Sequence, residues 1–184
     1  PDVIALGSYR PDATILLNLN STDPAKKKLF QNKDFRIALS HAINRQEIID
    51  LVYVGQGTPA QVAVQPEHEL YNEREAMQYT EYDPAAANGM LDKIMPKKDG
   101  EGYRLDESGK RLTINFMVAD VFGLSYPDVM QMVQQYAKDV GIDIQLRTTD
   151  RARLNTMWAA NEQDAYIWNC VGGLSEVYTD PRCY

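Results

Sequence analysis

From residue 112 onward the chain alternates between two hydrophobic periods, and this alternation limits its possible folds more than any other feature. Leu112, Ile114, Phe116 and Val118 take every second position, with Thr113 and Asn115 between them, which is the period of a strand. Val129, Met132, Val133, Tyr136, Ala137 and Val140 then recur at intervals of three and four. That spacing predicts a helix, capped by Ser125 with Asp128 in the reciprocal position and stopped by Gly141. Ile142, Ile144 and Leu146 return to the two-residue period; Asp150 caps a further helix that buries Leu154, Met157 and Trp158. Residues 165–171 then read as a nearly continuous apolar strand. Strand, helix, strand, helix, strand predicts an α/β layer with right-handed crossovers. Ligands of open α/β sheets meet the carboxyl ends of the strands, so residues 168–173 are the first place to look for a site. The polar residues alternating on two strands predict one sheet face that is only partly covered.

Upstream, residues 13–20 form an apolar run fit for a buried strand, ended by Ser21, Thr22 and Asp23 before Pro24. Two helices follow back to back. Asp34 is the expected cap of the first, whose buried stripe is Phe35, Ala38, Leu39, Ala42 and Ile43. Asn44, with Glu47 three residues on, caps the second, which buries Ile48, Ile49 and Val52 and leaves through a turn bracketed by Gly55 and Gly57. Residues 61–82 carry Pro66 and no clean period, and read as an irregular excursion. Asp83 and Pro84 open a short helix over Ala87, Leu91 and Ile94, ended near Pro96. Residues 103–105, a turn over 106–109 and residues 112–118 read as a hairpin.

The residues argue against several classes of function. A net charge of −7 over 184 residues opposes nucleic acid and anionic membrane surfaces, both of which attract lysine and arginine. No apolar run approaches the roughly 20 residues that span a bilayer. His41 and His68 are the only histidines; the first reads as a flanking helix residue, the second, between Glu67 and Glu69, as part of a solvated acidic loop. Asp99, Gly100, Glu101 and Gly102 hint at calcium without the spacing of a calcium loop. The glycines at 100, 102, 172 and 173 lack the Lys-Ser or Lys-Thr of a phosphate loop. Cys170 reads as a small apolar strand residue rather than the partner of Cys183. Neither a metal nor any other cofactor is expected. What remains is recognition by aromatic and polar groups: Trp168 as a stacking surface, Asn169 as a hydrogen-bonding side chain, and Gly172 and Gly173 where a ligand can approach the main chain. Trp168, inside an apolar run, reads first as a core residue.

Four phrases occur in an order shared with one family. They are Phe35 to Ile49 (Phe-Arg-Ile-Ala-Leu-Ser-His-Ala-Ile-Asn-Arg-Gln-Glu-Ile-Ile) with the loop from Gly55 to Pro59; Tyr82-Asp83-Pro84 through Leu91, then residues 99–105 and 109–112; Val140-Gly141-Ile142-Asp143; and Asp164-Ala165 leading to Trp168 and Asp180-Pro181. Together they resemble the family 5 extracellular solute-binding proteins of ATP-driven importers for peptides, nickel and some oligosaccharides. The resemblance implies an α/β fold, one lobe of a two-lobed type II periplasmic binding protein, with a mixed sheet flanked by helices. It implies a ligand site at Trp168, Asn169, Gly172, Gly173 and Asp180. In peptide-binding members an Asp three residues after this Trp pairs with the peptide α-amino group; here that position is Val171, and Asp180 stands as a substitute after an insertion. A buried ammonium without its counter-charge is costly, so a neutral oligosaccharide is favoured over a peptide.

The chain opens at Pro1 with no charged-then-apolar leader, and both ends read as cut. Residues 1–184 are therefore expected to be a single, partial, C-terminal lobe of a longer secreted protein. The expected partners are a small solute, sugar or peptide, and the membrane permease of an importer; the protein is expected to be a periplasmic or extracellular monomer, not an enzyme, and to bind no nucleic acid. Two other readings stand: a small α/β hydrolase or transferase using carboxylates near Trp168, and an interaction domain presenting residues 61–82.

Overall fold

A computed structural model of the chain describes residues 3–5, 13–64, 66, 68–119 and 125–169. Its strands are β1 (Val3–Ala5), β2 (Thr14–Leu17), β3 (Thr113–Ala119), β4 (Asp143–Thr149) and β5 (Ala165–Trp168), joined in one sheet in the order β1-β2-β5-β3-β4. Its helices are α1 (Pro24–Gln31), α2 (Lys33–Ala42), α3 (Arg45–Val52), α4 (Glu73–Met77), α5 (Pro84–Ile94), α6 (Tyr126–Asp139) and α7 (Arg151–Ala159). β3 runs parallel to both β4 and β5, whereas β2 is antiparallel to β5 and to β1, so the sheet is mixed.

The register sorts the side chains into two faces. Phe116 is level with Ala165 and Leu146, and Ile114 with Ile144, while Ile15 is level with Ile167. On this face Ile15, Phe116 and Ile144 meet Leu39, Ala42 and Ile43 from α2 and its end, and Val133 and Ala137 from α6. All eight are buried, and this is the centre of the core. The opposite face carries Asn115, Met117, Gln145, Arg147, Tyr166 and Trp168, with Thr14 level with Trp168. α7 lies over part of it, where the Trp158 and Tyr166 rings stand 5.4 Å apart, and Gln145 and Arg147 stay exposed. The partial cover that the polar alternation predicted is therefore present.

Local chemistry accounts for most boundaries and for several departures from expectation. Asn44 accepts from the Glu47 N–H at 3.2 Å and its side-chain amide donates to the Glu47 carboxylate at 3.1 Å, so α3 begins as predicted. Asp83 likewise caps α5, accepting from Ala86 at 2.8 Å. α2, however, is capped by Asn32, which accepts from the N–H groups of Asp34 and Phe35; Asp34 sits within the first turn, where its charge meets the positive end of the helix dipole. α1 was not expected at all. Asp23, read as the end of a strand, is its cap, and the run Lys26 to Lys28 hides a stripe in which only Leu29 and Phe30 are buried. Ser125 precedes α6 without a side-chain cap bond. Trp158, expected inside, is 48% exposed, because α7 buries Leu154 fully and Met157 in part while the indole lies over Tyr166 at the surface. The expected hairpin is two isolated bridges, Lys98 with Arg104 and Leu105 with Arg111, and both sheet neighbours of β3 are parallel. The described residues between 61 and 82 are irregular apart from α4.

Two buried guanidinium groups tie the loops to this frame. Arg104, fully buried, donates to the carbonyls of Val140 and Met95, to Asp92 and to Asn88, all at 2.8 Å. Arg45, 1% exposed, donates to the Ser40 carbonyl and hydroxyl, and the Gln61 amide donates to the same hydroxyl and to the Gln78 carbonyl. Burial lowers the Arg45 guanidinium to about 10, with the charge of Glu81 acting against that shift.

Candidate ligand site at the strand ends

The topology points to one crevice. The connection leaving β3 leads to α6 on the core face, and the connection leaving β4 leads back past β3, through α7 on the opposite face, to β5. Neighbouring strands whose connections depart to opposite faces open a crevice at their carboxyl ends, where backbone groups are free to meet a ligand. In this chain the rim of that crevice is Ala119 at the end of β3, Thr149, Asp150 and Arg151 at the turn from β4 into α7, and Trp168 and Asn169 at the end of β5.

Trp168 is half-buried and packs against the core cluster. The Arg151 guanidinium lies 5.4 Å from the centre of its ring. Sequence reasoning missed Arg151. The sequence carried no local signal for it, because β3 stands between β4 and β5 and strand order is not written in any hydrophobic period. Asn169, the next residue, is exposed. Gly172, Gly173 and Asp180, together with Val171, Cys170 and Cys183, lie outside the described residues. Level with Trp168 on β2, the Thr14 hydroxyl is buried and makes no hydrogen bond among the described residues.

The carboxylates on the adjoining elements are committed to structure. Asp150 caps α7, accepting from the Arg153 N–H at 2.8 Å. Asp164, at the opposite end of β5 from Trp168, accepts from the Lys26 ammonium at 2.6 Å and from the Asn115 backbone and side-chain amides at 2.9 and 3.0 Å. A hollow of about 620 Å³ opens beside Asp164 and runs under α7 past Met117, Arg147 and Arg153. Trp168 and Asn169 do not line it.

The remaining sequence candidates have structural partners. His41 places Nδ1 3.0 Å from the Glu81 carbonyl oxygen and stands edge-on to Tyr79, the flanking role expected of it. His68 Nδ1 accepts from the Leu70 N–H at 3.0 Å. Asp99 and Glu101 both bind Arg111, at 2.7 and 2.6 Å, and that guanidinium lies over the Tyr103 ring. Among the described residues no group of three or more His, Cys, Asp or Glu side chains is placed to hold a metal ion, and no helix is long and apolar enough to cross a membrane.

The model of a known family, the bacterial extracellular solute-binding proteins, family 5 (middle region), matches residues 6–182. The chain belongs to this family. A probable ABC transporter-binding protein of Deinococcus radiodurans is 26% identical over 171 residues, which are 89% of this chain and 28% of that protein. Among solved structures, an oligopeptide-binding protein OppA is 29% identical with a TM-score of 0.87, over 97% of this chain and 28% of its own. The periplasmic binding protein MelB of Agrobacterium fabrum, solved with stachyose, is 16% identical with a TM-score of 0.73, over 86% of this chain and 26% of its own, and shows the shared fold. This family 5 chain thus spans a little over a quarter of the length of these relatives. Its α/β layer with a mixed sheet is that of a solute-binding-protein lobe, as the sequence implied.

Proposed function

We propose that residues 1–184 form one lobe of the extracytoplasmic solute-binding component of an ABC-type importer. The lobe closes with a second lobe on a small solute and presents it to a membrane permease outside the cytoplasm; the full-length protein acts as a monomer, needs no cofactor and performs no chemistry on its ligand. The free energy of closure comes from ligand contacts made only in the shut form. The observation that carries this reading is a half-buried indole at the crevice of a chain whose family binds solutes. Asn169, Gly172, Gly173 and Asp180 are the further residues proposed to bind the ligand with Trp168.

A neutral oligosaccharide is the favoured ligand. An indole face suits the apolar face of a sugar ring, and Asn169 suits its hydroxyls. Val171 supplies no counter-charge for a peptide α-amino group. Relatives solved with sugars, MelB with stachyose among them, make the class accessible to this fold. The test is thermal shift and calorimetry on the full-length protein with stachyose and with a pentapeptide bearing a free amino terminus. Stachyose at about 100 times its Kd is expected to add roughly 2.7 kcal/mol to stability. Stabilisation by the peptide alone would reject the sugar, and turnover of either ligand would reject a binding role.

A further inference from the structure

We propose that Arg151 is the positioning and selectivity residue of this crevice: its guanidinium lies on the Trp168 ring, fixes how the indole is presented, and occupies the face on which a ligand cation would otherwise sit. This rests on the solute-binding reading of Trp168 given above. The geometry is direct. Arg151 is the first residue of α7, immediately after the Asp150 cap, and its guanidinium carbon is 5.4 Å from the Trp168 ring centre, within the range of a cation–π contact. Both residues sit at carboxyl ends of strands that flank β3, so the contact spans the crevice from the β4 side to the β5 side. The cap fixes the starting point of the arginine, because the Asp150 carboxylate holds the Arg153 N–H and with it the first turn of α7.

Two consequences follow for recognition. Trp168 already packs against the core cluster, and a guanidinium held over its ring restricts its orientation further before the ligand arrives, which strengthens binding through preorganisation. The strongest attraction an indole offers a ligand is to a cation over its face, and here a side chain of the same protein already holds that place. An ammonium group gains nothing from Trp168 on this face. A hydroxyl-rich, uncharged ring still gains the remaining ring surface, with Asn169 beside it. The discrimination against a free α-amino group is thus written twice, once by Val171 in the sequence and once by Arg151 in space.

The experiment uses the full-length protein with Arg151→Leu, Arg151→Lys and Trp168→Ala, and three readouts: the tryptophan emission difference between each Arg151 variant and the same variant carrying Trp168→Phe, the Kd for stachyose and for a pentapeptide with a free amino terminus, and the Tm without ligand. We expect Arg151→Leu to shift the emission assigned to Trp168, to weaken stachyose roughly tenfold and to narrow the sugar-over-peptide ratio, with the Tm unchanged; Arg151→Lys is expected to restore most of the emission and of the ratio. An emission unchanged in Arg151→Leu overturns the inference whatever the ligand proves to be. So does a Tm loss that accounts for the weaker binding and is not rescued by lysine, which would mark a merely structural arginine. Trp168→Ala separates the two levels: if it leaves stachyose binding intact, the site itself is wrongly placed, whereas loss in Trp168→Ala with none in Arg151→Leu refutes only the role of Arg151.

Discussion

At the residue scale, a glycine and an arginine show how narrowly some positions are specified. Gly141 has φ +81°, and a Cβ there would come within 2.8 Å of the Gly102 carbonyl oxygen and 3.2 Å of the Arg104 side chain. Gly141→Ala combines a left-handed backbone with a clash against main chain, and is expected to cost about 1–3 kcal/mol in urea unfolding. The sequence marks this glycine as a helix stop but does not show that it makes room for Arg104. Arg104→Lys keeps the charge yet loses the planar fork that serves two carbonyls, Asp92 and Asn88, so a loss on the order of 2–4 kcal/mol is expected by the same measurement. Asp99 is held below its ordinary value of 3.8: partial desolvation opposes ionisation, but the Glu101 and Tyr103 N–H groups and the Arg111 guanidinium outweigh it. A depressed carboxylate stabilises fully above its unfolded pKa and loses that contribution as pH falls through the folded one. Asp99→Asn should therefore lower the Tm at neutral pH, with the gap from the parent closing as the pH falls below 3.8 through the carboxyl's lowered range.

At the element scale, caps and contacts between helices decide what the period alone leaves open. Glu47 answers the Asn44 cap and also accepts from the Tyr136 hydroxyl at 2.8 Å, which joins α3 to α6 across the core edge. Burial raises the Tyr136 hydroxyl well above its usual range, and its bond to Glu47 adds to that shift. Asn44→Ala is expected to cost about 1 kcal/mol. Because Glu47 serves both partners, Asn44→Ala and Tyr136→Phe should be non-additive by about 0.5 kcal/mol or more in a double-mutant cycle; strict additivity would show that the two bonds act independently. The stripe of α2 and the caps at Asn44 and Asp83 were legible because they depend on neighbours three or four residues away. α1 and the exposed Trp158 were not legible, since a lysine run masks a two-residue stripe and since whether an indole is covered depends on what crosses above it.

At the scale of the whole molecule, the proposed role has the chain supply one wall of a binding crevice and needs a second wall. Residues 1–184 alone are expected to bind stachyose far more weakly than the full-length protein in calorimetry, and the full-length protein should become more compact in small-angle scattering when the sugar is added. Equal affinity of the two would show that a single lobe suffices and that closure contributes nothing. The alternation from residue 112 onward determined the α/β layer, the buried face of the sheet and the strand end on which Trp168 stands, because side-chain period and capping are written within a few residues of each position. Only the tertiary structure decided the strand order that returns β5 past β3, the place of Arg45 and Arg104 as buried hubs, and the meeting of Arg151 with Trp168 seventeen residues away. Such contacts depend on which strands become neighbours and on which face each connection crosses, and no local period encodes either.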